Sequence, residues 1–196
     1  PRTGEKTGSL PCTPVETIAT ALINTQSAQE QWWDQNLQTR KDAVKALHQG
    51  FLDAAPKIAE SLLQECGRPA GEAWTAEIVA NHELFSWWLN NIDDLLSHTP
   101  IDLNPINYPG KRGHIRLDPL GVIGLITPWN LPVAIPLRTI IPAILSGNGV
   151  LWKPSEHTPK TSALLGELFD KHLIPGLVTC VAGDKSHGST LIDVAP

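Results

Sequence analysis

Three short apolar runs alternate with helical segments in the last part of the chain, and this alternation restricts the fold more than any other feature. The first run, residues 121–126, is continuous, as in a strand that is buried on both faces, and residues 149–153 and 177–181 are predicted to be the second and third strands. Helices are predicted over residues 131–146, from Thr158 onward, and over residues 188–192. Strands joined by crossover helices form a parallel sheet, which binds ligands at the carboxyl ends of its strands.

Residues 1–98 are predicted to be helical. Apolar residues recur at helical spacing over residues 15–28, from Trp33 to Leu52, and over residues 73–97. Proline is costly in a helix interior, so we expect Pro56 to begin a separate helix that ends at Cys66.

Residues 99–118 are predicted to form a β-hairpin. Alternating apolar residues flank the glycine-rich turn Pro109-Gly-Lys-Arg-Gly113. The whole pattern predicts an α/β fold with an N-terminal helical layer, a β-hairpin, and the first part of a Rossmann-like parallel sheet in residues 119–196.

Composition and charge exclude several classes of protein. The 196 residues carry a formal net charge of −5, whereas nucleic-acid binders normally have a basic face. The most apolar stretch, residues 119–152, is broken by prolines and polar residues, and residues 1–13 lack the apolar segment of a secretion signal. We therefore expect no nucleic-acid partner, no membrane partner and a cytoplasmic location.

The cysteines and histidines show no pattern of catalytic or metal chemistry. Cys12, Cys66 and Cys180 are too far apart for a disulfide framework or a zinc site, and reduced thiols are expected. We expect Cys180 to be a small buried apolar residue of a central strand, and Cys66 to lie at a helix C-terminus, where a thiolate is disfavoured. The seven histidines lack metal-ligand spacing and are expected at the surface or as caps.

Two pairs of adjacent tryptophans, Trp32-Trp33 and Trp87-Trp88, lie in predicted helices. Adjacent helical positions cannot both face inward. We expect one member of each pair to face outward, against another domain or subunit.

Polar residues follow the first two predicted strands. Asn130 offers an uncharged amide donor that suits a developing oxyanion, although the local sequence also fits a simple cap of the following helix. Lys153 and Glu156 combine a donor and an acceptor for ribose hydroxyls, although a solvated ion pair fits equally well.

The order and spacing of these motifs resemble the cofactor domain of the aldehyde dehydrogenase superfamily. The matching segments are Pro119-Leu-Gly-Val-Ile-Gly-Leu-Ile-Thr-Pro-Trp-Asn130, Pro132, Pro136, Pro142-Ala143, Ser146-Gly-Asn148 and Lys153-Pro-Ser-Glu-His-Thr-Pro159. Interior prolines cost about 3 kcal/mol each in a helix, so three within one helical segment are an unusual coincidence. The stretch Glu65-Cys-Gly-Arg-Pro69 resembles the family's Glu-Thr-Gly-Lys-Pro, with Cys66 and Arg68 as departures.

The resemblance implies a nicotinamide cofactor, NAD, with NADP as a second candidate. The family's cofactor domain lacks the usual glycine fingerprint, and this chain lacks it too. The resemblance implies that NAD contacts the residues at the end of the first strand. It also implies that Lys153 and Glu156 bind the ribose and that Pro154 and Ser155 lie along the adenosine. Gly183, in the turn after the third strand, is implied as a further contact. The residues at the end of the first strand are Ile126, Thr127, Pro128 and Trp129. Lys185 departs from the glycine that many members carry after Gly-Asp.

The resemblance also implies a reaction, in which an aldehyde is oxidised to a carboxylic acid. Asn130 would then be a catalytic residue, as one donor of the oxyanion hole, and no metal is expected. The hairpin, residues 99–118, would belong to an oligomerisation element of a homo-oligomer, a dimer or a tetramer.

The family's nucleophilic Cys, general-base Glu and pyrophosphate-binding Gly-Ser turn follow the asparagine by more residues than remain after Asn130. We therefore expect an N-terminal portion that lacks the catalytic domain and is inactive alone. A naturally short, non-catalytic paralogue that serves as a binding or assembly module is the alternative. An unrelated doubly wound nucleotide binder is a third reading, which leaves the prolines unexplained.

Overall fold

The computed structural model describes Gly4 and residues 10–194. Its α-helices are α1 (Ile18–Trp33), α2 (Leu37–Cys66), α3 (Ala70–Glu72), α4 (Ala80–Leu95), α5 (Ala134–Leu145), α6 (Pro159–His172) and α7 (Lys185–Val194). A 3₁₀ turn at Val15–Thr17 precedes α1, and a π-helical segment, Ala73–Val79, joins α3 to α4. The strands are β1 (Thr99–Ile101), β2 (Gly113–Ile115), β3 (Val122–Ile126), β4 (Gly149–Lys153) and β5 (Val178–Cys180).

The predicted parallel sheet is confirmed, with the strand order β3-β4-β5. The central strand β4 is buried along its whole length. Burial of β3 on both faces is wrong, because β3 lies at one edge of the described sheet and Gly124 and Ile126 are exposed. The expectation that Cys180 lies in a central strand is also wrong, since β5 forms the other edge.

Helices cover both faces of this sheet. Leu151 points to one face and packs in a cluster with Ile18 of α1 and Leu191 of α7. Val150 and Trp152 point to the other face and join the larger core that α2, α4, α5 and α6 complete. The alternation along β4 therefore divides the core into two layers, as expected of a doubly wound α/β fold.

The second helix, α2, continues without interruption through Pro56, so the predicted break at this residue is wrong. Phe51, Ala55, Ile58 and Leu62 are all buried, and they continue one apolar face across the proline. Burial of this face against α6 and the core outweighs the roughly 3 kcal/mol that an interior proline costs.

The third predicted helix is one continuous helical run, but it contains the π-helical turn Ala73–Val79. Such turns are rare in proteins, and those that do occur are frequently found at functional sites. This one carries the fully buried Glu77.

The hairpin is confirmed as antiparallel, with Pro100 opposite His114, but its strands have only three residues each. Ile106 and Tyr108, which were predicted to continue the first strand, lie outside it and are exposed, Ile106 by 86%. These residues pack against no core of the described chain, so they have nothing to hold them in an extended strand.

The tryptophan pairs divide as predicted. Trp32 is 2% exposed and Trp33 is 36% exposed, and Trp87 is exposed while Trp88 packs against the core. Trp33 covers the glycine turn after α5, where its ring occupies the space that a side chain at Gly147 would need. Within the described residues, no helix combines the length and the hydropathy that crossing a membrane requires.

We expect Gly147→Ala to destabilise the chain more than Gly67→Ala. Both glycines have positive φ, +91° and +66°, but only Gly147 lies against a neighbouring ring, whereas a Cβ at Gly67 meets nothing within 4 Å. The left-handed backbone alone should lower the free energy of unfolding by about 1–2 kcal/mol, and overpacking against Trp33 by about 1–3 kcal/mol more. Urea unfolding of both variants measures the difference, and equal losses would contradict the contact with Trp33.

Candidate functional site

The predicted site residues lie on loops that leave neighbouring strands side by side. Ile126, the last residue of β3, pairs in register with Lys153, the last residue of β4. The backbone N–H of Thr127 continues the ladder by donating to the Lys153 carbonyl at 3.1 Å. The Trp152 indole N–H donates to the Thr127 hydroxyl at 2.9 Å, and both groups are buried. Thr127 is thereby fixed to the core, and Ile126, Pro128 and Trp129 remain exposed beside it.

The side chain of Asn130 is exposed and makes no hydrogen bond to α5 in the described structure. The interpretation of Asn130 as a helix cap is therefore wrong. The first turn of α5 is capped instead by Glu77, whose Oε2 accepts from the N–H of Val133 at 3.2 Å and of Ala134 at 2.7 Å.

Glu77 is wholly buried, and burial raises the pKa of its carboxyl against the opposing effects of the Ala134 N–H and Arg68. Its second oxygen, Oε1, lies 3.9 Å from Nη2 of Arg68. A buried carboxylate at a helix N-terminus is stabilised by the amide donors and by the helix dipole. Glu77 thus joins the π-helical turn to the start of α5.

The two departures from the family stretch both reach the loop that carries Asn130. Arg68 donates from Nη2 to the backbone carbonyl of Asn130 and from Nη1 to Glu72 Oε1 at 2.8 Å. Sγ of Cys66 lies 3.9 Å from the neighbouring carbonyl of Trp129. The turn after α2 therefore contacts two successive carbonyls of this loop.

Lys153 and Glu156 form the predicted pair at the end of β4. Lys153 is only 5% exposed, and its Nζ lies 3.1 Å from Oε2 of Glu156, whose side chain is 45% exposed. The backbone N–H of Glu156 and the Lys153 ammonium hold the pKa of this carboxyl below its usual value. The ion pair of the alternative reading is therefore present, with a half-exposed carboxylate, but its ammonium is buried rather than solvated. Pro154 and Ser155, between them, are buried.

Glu65 caps α6 in the same way as Glu77 caps α5. Its carboxylate accepts from the N–H of Lys160 at 2.6 Å, and from the N–H and the hydroxyl of Thr161 at 2.9 and 2.7 Å. Thr158 occupies the predicted N-cap position, but its hydroxyl has no partner among the described residues. The cap comes from α2, and local sequence gives no sign of it.

Gly183, in the turn after β5, is buried beneath the His187 imidazole, which fills the space that a Cβ would need. His187 is buried rather than at the surface, but its Nδ1 lies 3.2 Å from the backbone N–H of Asp184 at the start of α7, which agrees with the capping part of the expectation. Its Nε2 lies 2.9 Å from the Thr13 carbonyl and its Nδ1 lies 2.9 Å from Asp184 Oδ1. Hydrogen bonds from Ser186 and His187 hold the pKa of Asp184 well below its usual range.

The thiols of the described structure are free, and two of them are held protonated. Burial raises the pKa of Cys66, and it raises the pKa of Cys180 to about 12. In residues 10–194, no group of three or more His, Cys, Asp or Glu side chains is arranged to hold a metal ion.

Sequence reasoning identified the loops but missed the groups that hold them in place. Glu65 and Arg68 fall within the stretch that resembles the family, but their contacts are not encoded there. Glu77 is a charged residue at an apolar helical position, and this is the one signal that could have singled it out.

The profile of the aldehyde dehydrogenase family matches residues 1–195. The chain belongs to this family. It is 28% identical over 197 residues to 4,4'-diapolycopene aldehyde oxidase of Methylomonas sp, and this match covers 100% of this chain and 37% of that protein. It is 28% identical over 194 residues to 3,6-anhydro-alpha-L-galactose dehydrogenase of Streptomyces coelicolor, covering 98% of this chain and 38% of that protein.

Solved structures agree with the family fold. A Sinorhizobium meliloti 1021 protein complexed with NAD, provisionally called a methylmalonate-semialdehyde dehydrogenase, matches with a TM-score of 0.87 and 29% identity. That match covers 97% of this chain and 38% of the other. An NAD-dependent benzaldehyde dehydrogenase from Corynebacterium glutamicum matches in fold with a TM-score of 0.84, at 23% identity, over 95% of this chain and 40% of the other.

The chain corresponds to an N-terminal portion of these aldehyde dehydrogenases and spans less than two fifths of the curated relatives' length, 37% and 38%. The predicted fold class and the predicted family are both confirmed.

Glu65→Ala should lower the free energy of unfolding by about 1–3 kcal/mol, because it leaves the amides of Lys160 and Thr161 without their acceptor. Glu60→Ala is the matched control, since Glu60 lies on the same helix but is exposed and, among residues 10–194, accepts only from Gln64. This control should change stability by no more than about 0.5 kcal/mol. Urea unfolding, with amide hydrogen exchange at residues 160 and 161, checks both values. Equal effects of the two substitutions would contradict the cap.

Proposed function

We propose that this chain is the N-terminal portion of an NAD-dependent aldehyde dehydrogenase that oxidises an aldehyde to a carboxylic acid. The observation that carries the proposal is the placement of the Asn130 amide and the Lys153–Glu156 pair on loops that leave two adjacent strands of a family-like sheet. Ligands of parallel sheets bind at these carboxyl ends.

The Lys153–Glu156 pair has the donor set that the adenosine ribose of NAD requires. The buried Lys153 ammonium offers N–H donors, and the half-exposed Glu156 carboxylate offers acceptors toward solvent. In this proposal Pro154 and Ser155 line the adenosine, Ile126, Thr127, Pro128 and Trp129 contact the cofactor along its length, and Gly183 contributes the third turn. Bound NAD supplies the acceptor for the hydride of the aldehyde.

The Asn130 side chain is the proposed catalytic group of this portion. It is exposed and makes no bond to α5, so its N–H donors are available to a substrate oxygen on which negative charge develops. Because Glu77 already caps α5, Asn130 is not required for the stability of that helix.

The remaining chemistry has no counterpart in this chain. A dehydrogenase of this family needs a nucleophilic thiolate, but burial raises the pKa of both Cys66 and Cys180. Cys12 is exposed and lies next to Thr13, which bonds the chain after β5, two strands away from the β3 loop that carries Asn130. The chain alone is therefore proposed to be inactive. A cytoplasmic location and a homo-oligomer, assembled in part through the exposed hairpin, complete the proposal.

The proposal predicts that the product of the complete reading frame containing this chain reduces NAD with an aldehyde, and that the 196-residue chain alone does not. A panel of aldehydes, with NADH formation followed by absorbance, makes the comparison. A frame that stops after residue 196, or turnover by the chain with all three cysteines replaced, would overturn it and favour a short module or another chemistry.

The same assay tests Asn130. Asn130→Ala should lower kcat by about 10²–10³, which is the usual effect of one oxyanion donor, with the Kd for NAD unchanged. Asn91→Ala, at a half-buried residue of α4 that donates to the Trp87 carbonyl, is the matched control and should leave kcat unchanged. An unchanged kcat in Asn130→Ala would remove Asn130 from the site.

The complete protein should prefer NAD to NADP, because a 2′-phosphate near Glu156 would bring about two negative charges against its carboxylate. Glu156→Ser should shift the ratio of the two dissociation constants toward NADP by about tenfold, since it removes the like charge and leaves Lys153 to meet the phosphate. Calorimetric titration of both cofactors measures the ratio. Glu167→Ser changes the net charge equally, on the exposed side of α6, and should leave the ratio unchanged. A wild-type preference for NADP would contradict this placement of the adenosine.

A further inference from the structure

We infer that Arg68 is a positioning residue for Asn130, because its guanidinium holds the backbone carbonyl of the residue whose side chain is proposed to stabilise the oxyanion. The inference rests on the proposed function of Asn130. It assigns a role to a residue that lies in the turn after α2, outside the strand-end loops.

The guanidinium bridges two fixed points. Nη2 donates to the Asn130 carbonyl, and Nη1 donates to Glu72 Oε1 at 2.8 Å, while the Arg68 side chain is only 11% exposed. A charged donor shielded from water makes a stronger hydrogen bond than a neutral or solvated one. Fixing the Asn130 carbonyl fixes its peptide plane, and this restricts the directions in which the Asn130 side chain can point.

Glu77 holds the other end of the same loop. Its Oε2 accepts from Val133 and Ala134, three and four residues after Asn130, and its Oε1 faces Nη2 of Arg68 at 3.9 Å. The loop is therefore attached to one buried ion pair at both of its ends. Arg68 Nε and Glu77 Oε1 are buried without a hydrogen-bond partner among the described residues. The ion pair therefore does not satisfy all the polar atoms of its two side chains.

An arginine makes this bridge with a fixed geometry that a lysine lacks. The two donors used by Arg68 are separate nitrogens of one rigid plane, whereas a lysine presents its donors from a single nitrogen on a flexible stem. Arg68→Lys therefore keeps the charge beside Glu77 and loses the rigid connection from Glu72 to Asn130. This substitution separates positioning from simple charge compensation.

A double-mutant cycle in the complete protein tests whether Arg68 acts through Asn130. Arg68→Met keeps the length of the side chain and removes its donors, and it should lower kcat about tenfold, with the KM for aldehyde and the Kd for NAD within twofold of wild type. Arg68→Lys should recover only part of kcat. Adding Arg68→Met to Asn130→Ala should cause no further loss, since the side chain that it positions is already gone. Losses that multiply in the double variant would overturn the inference, because they would show that Arg68 acts independently of Asn130.

A second measurement on the 196-residue chain does not depend on activity. ¹⁵N relaxation of the Asn130 side-chain amide should show increased mobility on the picosecond-to-nanosecond timescale in Arg68→Met and unchanged mobility in Arg116→Met. Arg116 is the matched control because it pairs with Asp118 on the surface, where both side chains are exposed. Unchanged mobility in Arg68→Met would overturn the inference, whereas increased mobility with a normal kcat in Asn130→Ala would place the failure in the proposed function.

The Arg68 side chain is largely buried, so its replacement by Met could unfold the turn. Glu72→Gln provides a milder variant. It weakens the outer anchor of the guanidinium, at a carboxylate whose side chain is 58% exposed, and leaves Arg68 in place. We expect a smaller increase of Asn130 mobility in the same direction. No increase in this variant, together with wild-type mobility in Arg68→Lys, would overturn the inference.

Discussion

Two carboxylates, the buried one of Glu77 and the half-buried one of Glu65, join the helical layer to the sheet, and the geometry of the candidate site depends on them. Glu65 caps α6 and Glu77 caps α5, so each crossover helix begins at an acceptor that comes from an earlier helix of the chain. Amide donors at a helix N-terminus have no intrahelical partner, and a carboxylate satisfies both the donors and the helix dipole. The positions at which α5 and α6 start are thus set from outside the sheet.

These caps occupy the helix termini at which other doubly wound folds bind a pyrophosphate. In an ordinary dinucleotide-binding fold, the N-terminus of the first crossover helix receives the pyrophosphate, and glycines allow the close approach. Here the amides of Val133 and Ala134 already bind Glu77, and those of Lys160 and Thr161 bind Glu65. Both helix termini are occupied by protein carboxylates, so a pyrophosphate has no free donors at these two positions.

The sequence predicted the parallel sheet and the site loops, since these depend on local patterns. The apolar runs and the proline spacing around Asn130 and Lys153 were sufficient for both. The capping contacts join residues 56 to 96 positions apart, and no local pattern identifies such partners. The break predicted at Pro56 failed for the same reason, because the packing of α2 against distant helices decides whether a proline is tolerated.

The position of β3 at the border of the described sheet has a consequence for the chain when it is handled alone. An outermost strand presents a row of backbone N–H and C=O groups on one side, and such a row pairs readily with any extended segment that meets it. Gly124 and Ile126 are exposed on this strand, with neither a charge nor a proline between them to discourage pairing. The feature that lets a parallel sheet be extended by further strands therefore also favours self-association through β3 at high concentration.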